Sequence, residues 1–217
     1  LQAIVEWGVQ RALSRIEGAF AFSVWDRHAH ELWLARDPVG ERPLYYGWYQ
    51  GQFLFASELK ALQAFAGFAP SIDQAALSLL LRHDYVPAPH TIYRGIHKLV
   101  AGAMLRVDLS DHAAGGSTQA TQGGHRYWCA RDAMQSALQQ PLQPAPSLEQ
   151  ATDQLEVVLQ QAIAARMHSP VACGAFLSGG TDSSLVVAMM QAQSALPVEA
   201  WTVGFDDPGH DESDWAS

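Results

Sequence analysis

A seven-residue stretch at positions 178–184, SGGTDSS, constrains the fold more than any other part of the chain. The apolar run over residues 171–177 before it is too short and unbroken for an amphipathic helix, and is typical of a buried parallel strand. After it, residues 185–192 predict a buried helix, and Pro197 restarts the chain into a second strand over 198–203. The pattern therefore predicts a β-loop-α-β unit with a glycine-rich turn at a helix N-terminus.

The chemistry of this turn suits an anion. Gly179 and Gly180 are expected to adopt positive φ and bring backbone N–H groups close to a ligand, and a helix N-terminus favours negative charge. Asp182 would repel a phosphate unless a Mg²⁺ is shared between the carboxylate and the phosphate oxygens. The alternative is an ordinary tight turn with Asp182 or Ser183 as the N-cap. Further hydroxyl donors are Ser178, Thr181, Ser183 and Ser184.

Composition excludes several classes of protein. The 217 residues allow one large or two small domains, and 48% hydrophobic residues indicate a globular chain. A net charge of −9 argues against general affinity for nucleic acid or anionic membranes. Two cysteines, Cys129 and Cys173, argue against a disulfide framework or a zinc site and fit a reducing cytosol, with Cys173 expected in the core. The sequence predicts no membrane span and no signal peptide.

The first part of the chain predicts one helix followed by two hairpins. The helix carries its apolar residues on one side, at Ile4, Val5, Val9, Ala12 and Leu13. From Gly18 the period changes, and strands are predicted over 19–26, 31–36, 44–49 and 52–56, with Gly51 in the second hairpin turn. We interpret these strands as an antiparallel meander.

Two further helices show capping signals. Ser71 and Gln74 form a predicted capping box before a helix, as do Ser147 and Gln150. The first helix is expected to place Ile72, Ala76, Leu77, Leu80 and Leu81 on one face, and the second Leu155, Val158, Leu159, Ala162 and Ile163. Between them we predict a strand over 103–109, a flexible loop over 111–124 and a proline-rich linker over 139–146.

The loop 178–184 matches S-G-G-x-D-S-S, the pyrophosphate loop of the ATP pyrophosphatase superfamily, and lacks the lysine of the Walker pattern. Residues 36–46, RDPVGERPLYY, resemble the R-D-x-x-G-x-[KR]-P-L-Y-Y signature of glutamine-dependent asparagine synthetases. Residues 55–62, FASELKAL, resemble their F-A-S-E-[IL]-K-A-L. Residues 98–103 depart from the family's K-L-P-P-G-H, although Gly102 keeps the turn. The loop alone would leave GMP synthetases, NAD synthetases and tRNA-modifying enzymes open.

The resemblance implies an α/β protein with two domains. Residues 1–130 would be the C-terminal part of an Ntn-type αββα glutaminase sandwich, residues 131–147 a linker, and residues 148–217 the start of a parallel-sheet ATP pyrophosphatase domain. Arg36 and Asp37 are expected to fix a turn, and Glu58 and Lys60 to start a helix. The implied ATP-binding residues are Leu177, Ser178, Gly179, Gly180, Asp182, Ser183, Ser184 and Val203, with Asp182 also the Mg²⁺ ligand and Leu177 and Val203 framing the adenine and ribose.

The implied function is amidation of aspartate through a β-aspartyl-AMP intermediate, with ATP and Mg²⁺ and with ammonia taken from glutamine. The implied protein is cytoplasmic, binds neither nucleic acid nor membrane, and is expected to form a homodimer at full length. Two alternatives are a paralogue that amidates another carboxylate in polysaccharide or secondary metabolism, and a non-catalytic degenerate homologue.

The catalytic residues of the glutaminase half are not expected within this chain. The family's nucleophile is an N-terminal cysteine, whereas Leu1 lies inside a helical pattern. The chain is therefore interpreted as an internal piece of a longer protein, and this piece alone is expected to be inactive. The histidines lack metal-ligand spacing. A Ser-His-Asp hydrolase is not indicated, since no G-x-S-x-G elbow is present.

Overall fold

The computed structural model describes residues 1–108, 124–140, 144–168, 173–207 and 213–216. The chain divides into two compact units, Leu1–Gln140 and Pro141–Ser217, called here the N-terminal and C-terminal units. Within the ranges described, no helix combines the length and the apolar character needed to cross a membrane.

The described part of the N-terminal unit contains five helices and seven strands. The helices are α1 (Gln2–Trp7), α2 (Val9–Leu13), α3 (Leu59–Leu62), α4 (Gln74–His83) and α5 (Ala130–Gln139). The strands are β1 (Ala21–Asp26), β2 (Glu31–Arg36), β3 (Tyr45–Tyr49), β4 (Gln52–Ala56), β5 (Ile96–Lys98), β6 (Ala103–Asp108) and β7 (His125–Arg126).

The strands form two antiparallel sheets, with strand orders β1-β2-β6-β7 and β4-β3-β5. Both predicted hairpins are confirmed, and the tight turn of the second places Gln50 and Gly51 at φ 48° and 78°, as a two-residue hairpin loop requires. The single meander is wrong, because the hairpins lie in different sheets. One strand of each hairpin also pairs with a strand that comes later in the chain: β2 pairs with β6, and β3 pairs with β5.

The core of this unit lies between the two sheets. It combines Leu32, Leu34, Leu105 and Val107 of the first sheet with Leu44, Tyr46 and Leu99 in or beside the second. Alternation along β2 turns Ala35 to the opposite face, where it packs with Met104 and with Leu13 of α2. Burying a leucine completely stabilises a fold by ~1.5–3 kcal/mol. This mixed α/β arrangement is consistent with the expected Ntn-type fold.

Two helix predictions in this unit need correction. The first helix is interrupted at Gly8, whose φ of 76° is incompatible with a continuous helix, so α1 and α2 are separate. The predicted capping box at Ser71 is wrong, because Asp73 is the N-cap of α4 and accepts hydrogen bonds from the N–H groups of Ala75 and Ala76. Ser71 instead lies in an extended segment, where its carbonyl oxygen accepts from the N–H of Arg94.

The apolar face predicted for α4 is only partly buried. Ala76 is fully buried, whereas Leu77 and Leu81 are 39% and 79% exposed. Helical spacing identified the side that carries the apolar residues, but it could not show that most of this side faces solvent.

The C-terminal unit contains the predicted β-loop-α-β order. Its elements are α6 (Leu148–Met167), β8 (Gly174–Phe176), α7 (Thr181–Ala192), β9 (Glu199–Trp201) and a 3₁₀ turn (Ser213–Ala216). The capping box of Ser147 and Gln150 is confirmed at the start of α6. Strands β8 and β9 pair in parallel, with Phe176 opposite Trp201.

The burial predicted for this unit is wrong. Phe176 and Trp201 are 73% and 59% exposed, Cys173 is exposed rather than part of a core, and Met190 is the buried residue of α7. A parallel sheet is buried when helices cover both of its faces. In the described part of this unit the sheet has two strands, and the face that carries Phe176 and Trp201 is not covered.

One helix was missed, and some predictions fall outside the described residues. Helix α5 occupies much of the segment assigned to the linker, whose sequence carried no capping signal that we recognised. Position 109 of the strand, positions 111–123 of the loop, positions 141–143 of the proline-rich stretch and positions 171–172 before β8 lie outside the described residues.

Candidate functional site

The loop between β8 and α7 turns on a single left-handed residue. Gly179 has φ 77°, a conformation that glycine adopts without strain. Gly180 has φ −71° and ψ 157° and is the N-cap of α7, so the prediction of positive φ at both glycines is half right. The alternative that Asp182 or Ser183 caps the helix is wrong, since both lie inside its first turn.

Each glycine has a different amount of space around it. A Cβ atom on Gly179 would overlap the Cβ of Trp215 and lie 2.9 Å from its carbonyl carbon. A Cβ on Gly180 would find its nearest neighbour, Ser178 Oγ, at 3.5 Å, which is an ordinary contact. Glycine is therefore required at position 179 by both conformation and space, and at position 180 by neither. Nothing in the sequence indicated the approach of Trp215.

A hydrogen-bond network of two serines closes the loop. Ser183 Oγ accepts from the backbone N–H of Ser178 at 3.2 Å and donates to the carbonyl oxygen of Gly180 at 3.1 Å. Ser178 Oγ lies 3.1 Å from Ser183 Oγ. The end of β8 is thus tied to the first turn of α7 through a single hydroxyl.

The remaining polar groups of the loop are open to a ligand. The N–H of Ser184 bonds to the carbonyl of Gly180, but the N–H groups of residues 179–183 have no backbone acceptor among the residues described, as expected for a helix start. Across the same residues, the Asp182 carboxylate and the Thr181 and Ser184 hydroxyls make no hydrogen bond or ion pair, and all three residues are exposed. This end of α7 also carries the positive end of the helix dipole.

An apolar pocket of about 220 Å³ lies beside the loop, at the carboxyl ends of β8 and β9. The main chain of Leu177 is already engaged there, because its N–H donates to the Trp201 carbonyl at 2.9 Å and its carbonyl accepts from Thr202 Oγ1 at 2.7 Å. Val203 is 60% exposed. No pattern in the sequence indicated the contact made by Thr202. The pocket is lined by Phe176, Leu177, Ser178, Trp201, Thr202, Val203 and Phe205.

Asp182 fits a magnesium ion held mainly by a substrate. In the ranges that the structure describes, no three His, Cys, Asp or Glu side chains come together as a metal cage. Mg²⁺ in nucleotide enzymes is commonly held by one or two carboxylates together with phosphate oxygens and water. One exposed carboxylate beside free N–H donors suits that arrangement.

The Arg36–Asp37 pair is structural, as predicted. The Arg36 guanidinium donates to the carbonyl oxygens of Arg42, Leu99 and Gly40 at 2.6–2.7 Å. The Asp37 carboxylate accepts from the N–H groups of Glu41 and Arg42, each at 2.9 Å. Burial would raise the pKa of Asp37, but these and neighbouring backbone N–H groups outweigh it and leave the pKa below its ordinary value.

Glu58 and Lys60 lie at the start of α3, also as predicted. Glu58 is the N-cap residue without a side-chain capping bond, and its carboxylate pairs with the ammonium of Lys60 at 2.8 Å. Both side chains are well exposed, so this pair contributes little to stability.

Comparison with known families accounts for both units. The sequence model of the glutamine amidotransferase domain matches residues 1–128, and that of asparagine synthase matches residues 154–217. The chain belongs to the glutamine-dependent asparagine synthetase family. Family membership explains why a turn signature in the first unit and a glycine-rich loop in the second occur in one chain.

Curated members of the family match almost the whole chain. The putative asparagine synthetase [glutamine-hydrolyzing] of Mycobacterium tuberculosis is 34% identical over 214 residues, which are 97% of this chain and 30% of that protein. Asparagine synthetase [glutamine-hydrolyzing] 1 of Bacillus subtilis is 31% identical over 208 residues, 95% of this chain and 30% of its own length. The amidase chry2 of Gibberella zeae is 28% identical and covers 93% of this chain and 29% of its own. The chain thus spans about 30% of the length of these relatives.

Proposed function

We propose that the protein is a glutamine-hydrolysing asparagine synthetase that activates aspartate with ATP as β-aspartyl-AMP and amidates it with ammonia from glutamine. One observation carries the proposal. The loop at 178–184 ends a strand, turns at Gly179 and presents unpaired N–H groups and the Asp182 carboxylate at the start of α7. Membership of the family, in which the relatives from Mycobacterium tuberculosis and Bacillus subtilis are named asparagine synthetases, supports the same activity.

In this proposal the loop holds the leaving pyrophosphate. The N–H groups of residues 179–183 and the hydroxyls of Thr181 and Ser184 are the donors that stabilise negative charge as the bond to the α-phosphate breaks. A bound Mg²⁺ at Asp182 would supply partial neutralisation of the charge on the phosphate oxygens. The proposed ATP-binding residues are Leu177, Ser178, Gly179, Gly180, Asp182, Ser183, Ser184 and Val203, with Ser183 contributing its backbone N–H.

The pocket beside the loop is the proposed site for the adenosine. Leu177 and Val203 lie on its wall, and the aromatic side chains of Phe176, Trp201 and Phe205 give it an apolar surface suited to a base. Because the Leu177 N–H is already bonded to Trp201, the group left for the ligand is the second lone pair of the Leu177 carbonyl.

The proposed domain organisation follows the family. Residues 1–130 belong to the glutaminase domain, residues 131–147 link the domains, and residues 148–217 begin a parallel-sheet ATP pyrophosphatase domain. The small-molecule substrates are glutamine, aspartate and ATP. A cytoplasmic homodimer without nucleic-acid or membrane partners completes the proposal, and the net charge of −9 supports its last part.

A second candidate is a paralogue that amidates a carboxylate other than aspartate. It is favoured by two relatives with a different name, the amidases chry2 of Gibberella zeae and chyE of Penicillium rubens, each 28% identical over 218 residues. The loop chemistry is the same in both candidates, since any carboxylate needs activation before ammonia can displace the leaving group.

Isotope transfer separates the two candidates. The full-length protein that contains this chain is purified and supplied with amide-¹⁵N-glutamine, ATP, Mg²⁺ and aspartate, and the products are analysed by mass spectrometry. We expect ¹⁵N-labelled asparagine from the wild type, and at most a trace of it from the variant Asp182→Asn. The assay is repeated with a panel of other carboxylic acids. A ¹⁵N-labelled amide of one of these acids, without labelled asparagine, would select the second candidate. No ATP-dependent transfer to any acid would contradict both.

A further inference from the structure

The two serines that close the loop use up their own hydrogen-bonding capacity. A hydroxyl has one proton to donate and two lone pairs to accept with. Ser183 Oγ gives its proton to the Gly180 carbonyl and accepts from the Ser178 N–H. The Ser178 hydroxyl, 3.1 Å away, is then the donor in the third contact. No donor of Ser183 Oγ remains for a phosphate oxygen.

Ser178 and Ser183 differ from the other hydroxyl residues of the loop in the number of hydrogen bonds they already make. The N–H and the O–H of Ser178 both end on Ser183, whereas the hydroxyls of Thr181 and Ser184 bond to nothing in the described ranges. The family motif treats the serines alike, but the geometry divides them into two that hold the loop and one, Ser184, that is free to bind.

The turn needs such a support because its residues are glycines. Gly180 is the N-cap and has no side chain to accept an N–H from the first turn, and two successive glycines lose much conformational entropy when they are fixed. The Ser183 hydroxyl restrains both sides of the pair, at the N–H of Ser178 and the carbonyl of Gly180. The N–H groups of residues 179–183 are thereby held in place before a ligand arrives, which lowers the cost of binding.

We infer that Ser183 is a positioning residue: its hydroxyl fixes Ser178 and Gly180 so that the backbone N–H groups face the nucleotide phosphates, and does not itself bind them. This inference rests on the proposed function for the identity of the ligand. We expect the Ser178–Ser183–Gly180 network both in the free protein and in the nucleotide complex.

The network is tested first without any nucleotide. Hydrogen–deuterium exchange, followed by mass spectrometry on peptides that cover the loop, reports the Ser178 amide. In Ser183→Ala this amide is expected to exchange about tenfold faster, the loss of one hydrogen bond, whereas Ser183→Thr, which keeps the hydroxyl, and Ser184→Ala leave it unchanged. Equal exchange in wild type and Ser183→Ala would overturn the inference.

The second test measures ATP affinity by titration calorimetry in the presence of Mg²⁺. Ser183→Ala is expected to bind about tenfold more weakly, with Ser183→Thr restoring affinity. The double variant Ser178→Ala/Ser183→Ala should bind ATP no more weakly than the weaker-binding of the two single variants, because both substitutions break the same hydrogen-bond network. Losses that multiply would show that each serine contacts the phosphates directly, and would overturn the inference.

Together, the exchange and titration experiments distinguish failure of the role inferred for Ser183 from failure of the proposed ATP site. A wild-type protein that binds no ATP would contradict the nucleotide site, and the exchange experiment alone would then decide whether Ser183 holds the loop. A folded-state control is the melting temperature of each variant, which should stay close to that of the wild type, since these residues are outside any buried core.

Discussion

The turn after β2 and the loop after β8 are built from the same kinds of residues but leave their polar groups in opposite states. In the turn, Arg36 and Asp37 are 7% and 0% exposed, and their side chains are bonded to backbone groups of the protein itself. In the loop, the carboxylate of Asp182 is exposed and makes no bond within the described residues.

Similar signatures can therefore hold either structural or ligand-binding residues, depending on whether their polar groups are bonded within the fold. Both segments follow a strand, contain glycine at positive φ and carry an aspartate. In the first segment the side-chain donors and acceptors form hydrogen bonds with the protein's own backbone, because an unpaired buried polar group destabilises the fold. The second keeps its donors available. Substitutions in the first should therefore change stability, and substitutions in the second should change ATP chemistry.

The largest expected effect is that of Asp182→Asn on synthesis. In the full-length protein, removing the proposed magnesium ligand should lower ATP-dependent amide formation about 10²–10³-fold. The glutaminase rate should stay the same, because that chemistry is proposed for a different domain. The two rates are measured separately on one preparation. Asp153→Asn, on an exposed position of α6, is the matched control, and synthesis retained in Asp182→Asn would disprove the metal role.

Next in size is Arg36→Met, which should lower the free energy of unfolding of the N-terminal unit by about 3–5 kcal/mol. The substitution leaves three carbonyl oxygens without their donor. Denaturant unfolding measures the loss. Arg106→Met is the control, because the exposed pair of Arg106 with Glu31 is worth under about 1 kcal/mol. Similar losses in both variants would remove the distinction between buried and exposed arginines.

The third prediction compares the two glycines of the loop. Gly179→Ala should weaken ATP binding about tenfold or more, because alanine is strained at φ 77° by roughly 1–2 kcal/mol and its Cβ would displace Trp215. Gly180→Ala should change the affinity about twofold at most, since its φ of −71° suits any residue. Calorimetric titration with ATP gives both values, and equal affinities would contradict the assigned geometry.

The smallest effect is expected for Tyr127→Phe. The Tyr127 hydroxyl donates to the Arg36 carbonyl at 2.8 Å, so its loss should cost about 1 kcal/mol of stability. Burial, with a smaller effect from the Asp37 charge, raises the pKa of Tyr127 to about 12. A raised pKa adds stability below the unfolded-state value of about 10, and that stability is lost as the pH rises towards the folded-state value.

The pH dependence of this variant can be measured directly. Between about pH 10 and pH 12 the free energy of unfolding of the wild type should fall more steeply than that of Tyr127→Phe, so the two curves converge. Parallel curves across this range would show that the hydroxyl is not buried against Arg36.

The sequence predicted local structure well where the cause is local. Strand β2 was predicted at its observed bounds, the Ser147–Gln150 capping box is present, and the loop lies where a strand meets a helix. These features depend on neighbouring residues, whose chemistry is readable along the chain.

Some errors are local, such as the missed break at Gly8 and the missed helix α5. The other errors concern contacts between distant residues. No local pattern indicates that β2 pairs with β6, that Ser71 is held extended by Arg94, or that Trp215 approaches Gly179. Burial was overestimated for Phe176 and for α7, because apolar composition shows which side chains favour a core but not whether other elements cover them. Within the site, the shared role of Ser178 and Ser183 required coordinates, since the motif gives each serine the same letter.

The identity of the nucleotide product decides whether the loop at 178–184 holds a leaving pyrophosphate. The full-length protein that contains this chain is incubated with ATP, Mg²⁺, aspartate and ammonia or glutamine, and the nucleotides are resolved by chromatography. A loop that stabilises a leaving pyrophosphate through Gly179, Gly180 and Ser184 predicts that AMP and pyrophosphate accumulate in step with asparagine. ADP and inorganic phosphate as the products would contradict the account, because they require transfer of the γ-phosphoryl group.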